Sequence, residues 1–321
     1  MSKNVRLVAV VSRPEFLPAM ASWFTIGLAW GVNPPASYEL AFPATLAFAI
    51  IMLSAVIGLQ VNTIYDYDLD IKDDRKKELV QALRCLGRKR LGSLIIVEFL
   101  FGAVFISLLF MFRGKAALLL MWACGIFLAY AYSAPPLRLK SRSWLSLGTL
   151  LLTICILPLL FVFHTFTSEL DVFFLLFLVG QALSVYSLIL STEIRDYFED
   201  RAMGIQTMTV SLGLAKASFL SLVLLSTGGI LTGAAFLFRL ASGLQPWLNV
   251  FLLTIVVADT LVLRDLKTLY SLSNEYALSE NRDSVAEDIK RLAGNSPKWI
   301  IMASQAAVFM SLILLISKFL L

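Results

Sequence analysis

The sequence predicts an all-α, polytopic membrane protein, and three observations carry that prediction. The composition is 59% hydrophobic and 15% charged, with a mean hydropathy of +0.81, whereas a soluble domain holds about 45–50% apolar and ~25% charged residues. The apolar residues gather into runs of bilayer length, roughly 18 residues or more. The basic residues, in turn, fall almost wholly on one side of those runs.

Nine spans are expected, at about residues 16–31, 41–61, 91–112, 116–133, 144–163, 172–191, 212–238, 247–263 and 299–320. Lipid offers no partners to backbone N–H and C=O groups, so spans must be helices or strands of a closed barrel. Continuous apolar runs, in place of short alternating ones, exclude the barrel. With nine spans, one face receives 23 Lys and Arg residues and the other only four: Arg113, Lys115, Arg239 and Lys318. The positive-inside rule puts the basic face and the N-terminus in the cytoplasm of a multi-pass cell-membrane protein. The net charge of +5 then follows from topology and calls for no nucleic-acid partner. Ala19-Met20-Ala21 has the look of a signal-cleavage site, but Arg13-Pro14-Glu15 interrupts the short apolar stretch before it, so the first span is expected to be retained. Cys85, Cys124 and Cys155 have neither metal nor disulfide spacing and are expected to pack.

The chain reads as one domain over residues 1–321, built on an internal repeat. Asn62-Thr-Ile-Tyr-Asp66-Tyr67-Asp68-Leu-Asp70 follows the second span, and Thr192-Glu193-Ile-Arg195-Asp196-Tyr197-Phe-Glu199-Asp200 follows the sixth. Asp66, Tyr67 and Asp70 recur 130 positions later as Asp196, Tyr197 and Asp200. The same shift carries spans one to four approximately onto five to eight, which predicts two four-helix pseudo-repeats plus one extra helix. Three turns on the sparsely charged face carry Pro or Gly: Val32-Asn33-Pro34-Pro35-Ala36, Arg113-Gly114-Lys115 and Ser242-Gly243-Leu244-Gln245-Pro246. The opposite face holds the long segments 66–90 and 264–298. In the second of these, Leu266, Leu269, Tyr270, Ser273, Tyr276 and Ala277 have helical spacing, so an amphipathic helix at the membrane surface is expected there.

Residues four apart on a helix share a face, about 6 Å apart along the axis. Asn62, Asp66 and Asp70 therefore form one stripe of oxygen donors. Asp196 and Asp200 form another, with Glu193 a turn earlier. Carboxylates so gathered repel one another unless cations intervene. Hard cations such as Mg²⁺ take oxygen ligands and are shared between carboxylates and substrate phosphates. Two such clusters on a common cavity would cradle a diphosphate. A third element, Tyr130-Ala-Tyr132-Ser-Ala-Pro135-Pro136-Leu-Arg138-Leu-Lys140, ends the fourth span with helix-breaking prolines and sets its cations in the same plane, where Lys or Arg can serve phosphate oxygens. Arg13, before Pro14, is a similar candidate.

These motifs resemble the UbiA superfamily of intramembrane prenyltransferases over nearly the whole chain. That family has nine transmembrane helices, an NxxxDxxxD motif after helix 2 and a DxxxD motif after helix 6, here Asn62/Asp66/Asp70 and Asp196/Asp200. The run from Tyr132 to Lys140 resembles the family's loop after helix 4, and Arg13-Pro14 its start of helix 1. The resemblance implies that Asn62, Asp66, Asp70, Asp196 and Asp200 bind Mg²⁺–diphosphate, with the four Asp residues catalytic. It further implies that Arg13, Tyr132 and Lys140 contact or orient the phosphates. Many members have Asn-Asp where Thr192-Glu193 stands; Glu193 keeps a carboxylate for the diphosphate site. Many also have Arg-Pro after the first motif, where this chain has Asp73-Asp74-Arg75-Lys76-Lys77-Glu78, a departure that bears on the acceptor class.

The activity so implied is electrophilic alkylation of a hydrophobic acceptor from the bilayer (a quinone precursor, lipid or pigment) by an isoprenyl diphosphate. Phe161, Phe163, Phe173, Phe174 and Tyr186 are candidate linings for the allylic cation, with plain packing as the alternative. Glu98 and Asp259 are intramembrane carboxylates, though both lie within about two turns of the basic face. His164, the single histidine, is expected at the opposite surface. Two rivals remain at this point. A terpene cyclase of the same superfamily would use the same motifs without an acceptor. A secondary transporter should hold its carboxylates near the midplane, against the placement of both stripes here.

Overall fold

A computed structural model describes residues 3–33, 38–71, 76–242 and 246–319. The expected turns through Pro34-Pro35-Ala36 and Gly243-Leu244-Gln245, and the run Asp73-Asp74-Arg75, lie outside the described residues. All regular structure among the described residues is helical. Eight segments there are long and apolar enough to cross a bilayer: Ala41–Tyr65, Arg88–Arg113, Ala116–Ser133, Ser143–Phe166, Val172–Ala202, Leu214–Ala241, Trp247–Leu278 and Arg282–Lys318. The protein is thus a multi-pass membrane protein. The expected first span corresponds to helix α2 (Leu17–Gly31), which has 15 residues. At 1.5 Å per residue it is about 22 Å long, short of a hydrocarbon core of about 30 Å, so length alone does not supply the ninth span. The helices form two compact units.

The first unit contains α1 (Lys3–Val11), α2, α3 (Ala41–Tyr65), α4 (Tyr67–Asp70), α5 (Lys77–Leu86), α6 (Arg88–Arg113), α7 (Ala116–Ser133) and α9 (Leu157–Phe166). The spacing of Gly27 and Gly31 lets α2 meet α9 closely. A Cβ added at Gly27 would stand 2.6 Å from Val162 Cβ, and one at Gly31 2.8 Å from the Phe163 carbonyl oxygen. Small residues four apart permit such close approach between membrane helices. At that end of the unit, Arg113 donates to the Thr165 and Phe166 carbonyls and Lys115 to those of His164 and Thr167. These cations satisfy the last carbonyls of α9, which lack intrahelical partners. Along α6, Ile96, Val97, Leu100, Phe101, Val104 and Met111 are exposed at helical spacing, a face fit for lipid. The amphipathic α5 turns Leu79, Ala82 and Leu83 inward with Val11 and Leu91; Leu7, Val10, Ile64 and Tyr67 pack on this core.

The second unit contains α8 (Ser143–Leu151), α10 (Val172–Ala202), α11 (Met208–Leu212), α12 (Leu214–Ser242), α13 (Leu253–Leu278), α14 (Arg282–Ala293) and α15 (Ser296–Phe319). A π-turn at Leu152–Ile156 separates α8 from α9. The central pair is α10 with α12, joined by small residues. Gly180, Ser184, Ser187 and Ser191 of α10 face Ser221, Gly228 and Thr232 of α12. Ser187 Oγ donates to the Ser221 carbonyl at 2.7 Å, and Gln181 Nε2 to Thr232 Oγ1 at 3.1 Å. Gly213, with φ +80°, breaks the chain between α11 and α12, a conformation cheap only for glycine.

The segment 264–298 differs from its expected form. Residues 264–278 continue the preceding span as the rest of α13, because Ile255, Ala258, Val262, Leu266, Leu269 and Ser273 make one buried stripe. The separate amphipathic helix is α14, which buries Val285, Ile289 and Ala293. Of the cysteines, Cys155 is buried, as packing predicts, whereas Cys85 and Cys124 are exposed. Phe174 packs on Phe177, and Phe177 on Phe236, the packing alternative for that residue.

Candidate active site

In the first unit, α3 ends at Tyr65 and the chain bends at Asp66 before α4 begins. The helical line survives the bend. The Asp66 N–H reaches the Asn62 carbonyl at 2.9 Å, and the Asp70 N–H reaches that of Asp66 at 2.8 Å. Asp66 and Asp70 are 8% and 4% exposed. Asn62 Nδ2 donates to Ser133 Oγ at 3.0 Å, which ties the motif to the end of α7 beside Tyr132. The short α4 is held by the side chain between its carboxylates. Tyr67 packs on the α1/α5/α6 core, its hydroxyl accepts from Arg84 Nε at 2.6 Å, and the Arg88 guanidinium lies 4.7 Å over its ring. Asp70 accepts from Lys76 Nζ at 2.6 Å.

Arg13 occupies the corner between α1 and α2. Its backbone is left-handed, with φ 48° and ψ 61°, an arrangement costing about 1–2 kcal/mol that surrounding structure must enforce. The guanidinium lies 4.5 Å over the Phe16 ring and 3.4 Å from Glu15 Oε1. One enforcing contact comes from a residue the motifs did not reveal. Gln60, fully buried on α3, donates through Nε2 to Ser12 Oγ at 3.0 Å and to Glu98 Oε1 at 3.1 Å. It thereby pins the residue next to Arg13 and gives the intramembrane carboxylate Glu98 a structural partner. The available signal was a lone amide inside an apolar run, two residues before Asn62.

In the second unit, Glu193, Asp196 and Asp200 all lie on the last turns of α10. Tyr197, shifted 130 positions from Tyr67, plays the corresponding part: it is buried and its hydroxyl accepts from Arg201 Nη1 at 3.1 Å. Arg195 grips Asp196 with two bonds, Nε to Oδ1 at 2.9 Å and Nη2 to Oδ2 at 2.7 Å. Glu193 Oε2 accepts from the backbone N–H and hydroxyl of Thr209, so this carboxylate caps the start of α11. The outer side of the motif is buttressed by α13 and α14. Phe198 meets Tyr276 edge-on, and Lys290 stands 5.5 Å over the Phe198 ring and 3.8 Å from Glu199. Lys140 belongs to this unit, and burial pushes its ammonium down from 10.5 to about 8.

The sequence-derived site residues therefore divide between the units: Arg13, Asn62, Asp66, Asp70 and Tyr132 in the first, Lys140, Glu193, Asp196 and Asp200 in the second. Among the described residues, no group of three His, Cys, Asp or Glu side chains forms a metal cage. Oxygen donors arranged in pairs on a helix suit Mg²⁺, which takes one or two carboxylates and completes its shell with water and substrate phosphate. They do not suit a soft or tetrahedral metal.

The model of the UbiA prenyltransferase family matches residues 17–273, which include both motifs. The chain belongs to this family. Among curated proteins it is similar to a lycopene elongase/hydratase of Halobacterium salinarum, at 29% identity over 219 residues, covering 66% of this chain and 73% of that one. Among solved structures it is similar to a digeranylgeranylglyceryl phosphate synthase, with a TM-score of 0.67 and 12% identity, covering 97% of this chain and 100% of the other. A UbiA homologue from Archaeoglobus fulgidus bound to GPP and Mg²⁺ matches with a TM-score of 0.57 and 16% identity, over 93% and 99% of the two chains. At such identities these structures establish the UbiA fold.

Proposed function

We propose that this chain transfers an isoprenyl group from an isoprenyl diphosphate to a hydrophobic acceptor in the bilayer, and that its two acidic motifs serve one Mg²⁺-bound diphosphate. The observation that carries the proposal is the repetition of a structurally braced motif. In each unit two aspartates one turn apart flank a tyrosine whose hydroxyl an arginine holds, in a chain of the UbiA family. Mg²⁺ is the metal named with the Archaeoglobus fulgidus homologue, and the donor set here fits it.

Asn62, Asp66, Asp70, Asp196 and Asp200 would hold the metal. When bound, Mg²⁺ acts as a Lewis acid on the diphosphate oxygens. The chain's own residues do the rest. Arg13 and Lys140, with the Tyr132 hydroxyl, bind and orient the remaining phosphate oxygens, and their charge stabilises the leaving group as the allylic C–O bond breaks. The electron pair departs with pyrophosphate and the allylic carbon becomes cationic. The apolar bundle excludes water that would quench this cation. The acceptor forms the new bond and loses a proton. Glu193, occupied by Thr209, acts by fixing α11 against the second motif. The positive-inside rule places both motifs and the N-terminus on the cytoplasmic side of the cell membrane.

The test is to incubate purified protein with isoprenyl diphosphates from geranyl to geranylgeranyl, with Mg²⁺, and with lycopene or a membrane lipid extract as acceptor. A mass shift on an acceptor equal to the donor's whole isoprenyl chain less the proton lost, with equimolar pyrophosphate, is the expected result. Consumption of diphosphate alone to a cyclic hydrocarbon or alcohol would replace transfer by cyclisation. Movement of a substrate across vesicles without pyrophosphate would overturn the enzyme.

A further inference from the structure

Asp70 is 4% exposed, and a carboxylate so buried is costly unless a cation meets it. In this structure the cation is Lys76, its Nζ 2.6 Å from Asp70 Oδ1. Lys76 stands immediately before α5, whose apolar face is anchored in the core with Val11 and Leu91. Its backbone is thus tethered beside the motif while its side chain keeps a long flexible stem and is 38% exposed. That stem also lines a cleft of about 450 Å³ shared with Arg6, Arg13, Glu15 and Glu78. An ammonium on Asp70 Oδ1 and a divalent metal on the same oxygen would repel at contact distance, so the two are alternatives.

We propose, on the basis of the Mg²⁺–diphosphate assignment above, that Lys76 is an exchangeable counter-cation of Asp70. It neutralises the carboxylate while metal is absent, and metal binding displaces it into the cleft beside Arg13. There the released ammonium faces the incoming diphosphate as a further phosphate-binding group. Lys76 thereby lowers the affinity of the first motif for free metal and couples metal entry to the arrival of the anion.

The test uses full-length, detergent-solubilised protein and Mn²⁺ alone, with free Mn²⁺ read by electron paramagnetic resonance. Lys76→Ala and the length-preserving Lys76→Gln should each tighten Mn²⁺ binding by about two- to tenfold, as expected for losing one partly exposed competing charge. In the unmodified protein, acylation of Lys76 followed by peptide mass spectrometry should speed up when Mn²⁺ is added. Unchanged or weaker Mn²⁺ affinity in both variants, or labelling that Mn²⁺ does not alter, would overturn the exchange. Mn²⁺ binding that is insensitive to Asp70→Asn would overturn the metal assignment of the first motif itself, and the Lys76 proposal with it.

Discussion

Placing one methyl group on α12 tests how firmly the second motif's helix is held. A Cβ at Gly228 would meet Ser184 Oγ, and would stand 2.7 Å from the Gly180 carbonyl oxygen and 2.8 Å from the Ser184 nitrogen. Two of these obstacles are backbone, so Gly228→Ala can be accommodated only by parting α10 from α12. The nearest atoms to a Cβ at Gly229 belong to the Asp259 side chain, whose carboxylate end can move, and one at Gly233 meets nothing within 4 Å. Overpacking costs about 1–3 kcal/mol. Separation also loosens the Ser187–Ser221 and Gln181–Thr232 bonds, about 0.6 kcal/mol each between membrane helices. Against this, Gly→Ala in a helix gains about 0.5–1 kcal/mol. The net for Gly228→Ala is a loss of about 1–4 kcal/mol, whereas Gly233→Ala should be neutral or gain about 0.5–1 kcal/mol. Gly229→Ala should fall between them. Unfolding titrations in sodium dodecyl sulfate give the order, and pyrophosphate release should fall with Gly228→Ala because Asp196 and Asp200 ride on α10. Equal stability of the Gly228 and Gly233 variants would refute the close helix contact.

Two further substitutions probe the phosphate side of the site. Gln60→Leu removes both bonds of a fully buried amide and leaves Glu98 without its donor, so it should cost about 1–3 kcal/mol and raise KM for the diphosphate more than it lowers kcat. An unchanged KM would separate Gln60 from Arg13. Burial lowers the Lys140 ammonium to about 8, so this group gives up its proton as pH rises through that value, and the form that attracts phosphate is the one lost. kcat/KM for the diphosphate, which reports the free enzyme, should therefore decline above about pH 8. Lys140→Arg should move that decline upward, since guanidinium stays charged. An alkaline arm identical in the variant would remove Lys140 from the phosphate site.

The motifs, their spacing and most spans were legible in the sequence because membrane helices must be continuous and apolar, and because the acidic motif recurs at a fixed offset of 130 positions. Tyr67 and Tyr197 were visible as a repeated position, but their work was not: the arginines that hold them, Arg84 and Arg201, are 17 and 4 residues away. Gln60 was missed because its importance lies in which helix corner it reaches. The place of Glu193 in the stripe was legible, but not its bond to Thr209, 16 residues on. The first span falls within one residue of its expected bounds, as Leu17–Gly31, yet its 15 residues are fewer than the roughly 18 or more that mark a crossing by length. The region 264–278 was expected as a separate helix because its polar face resembles a surface helix, whereas its buried stripe continues that of the span before it.

One diphosphate served by both acidic motifs can be examined most directly through Mg²⁺-dependent pyrophosphate release by Asp66→Ala, Asp200→Ala and the double variant, each first verified as folded in the membrane. Loss of turnover in each single variant, with the double no worse than either, is the outcome that joint action predicts. Normal turnover by either single variant would contradict it.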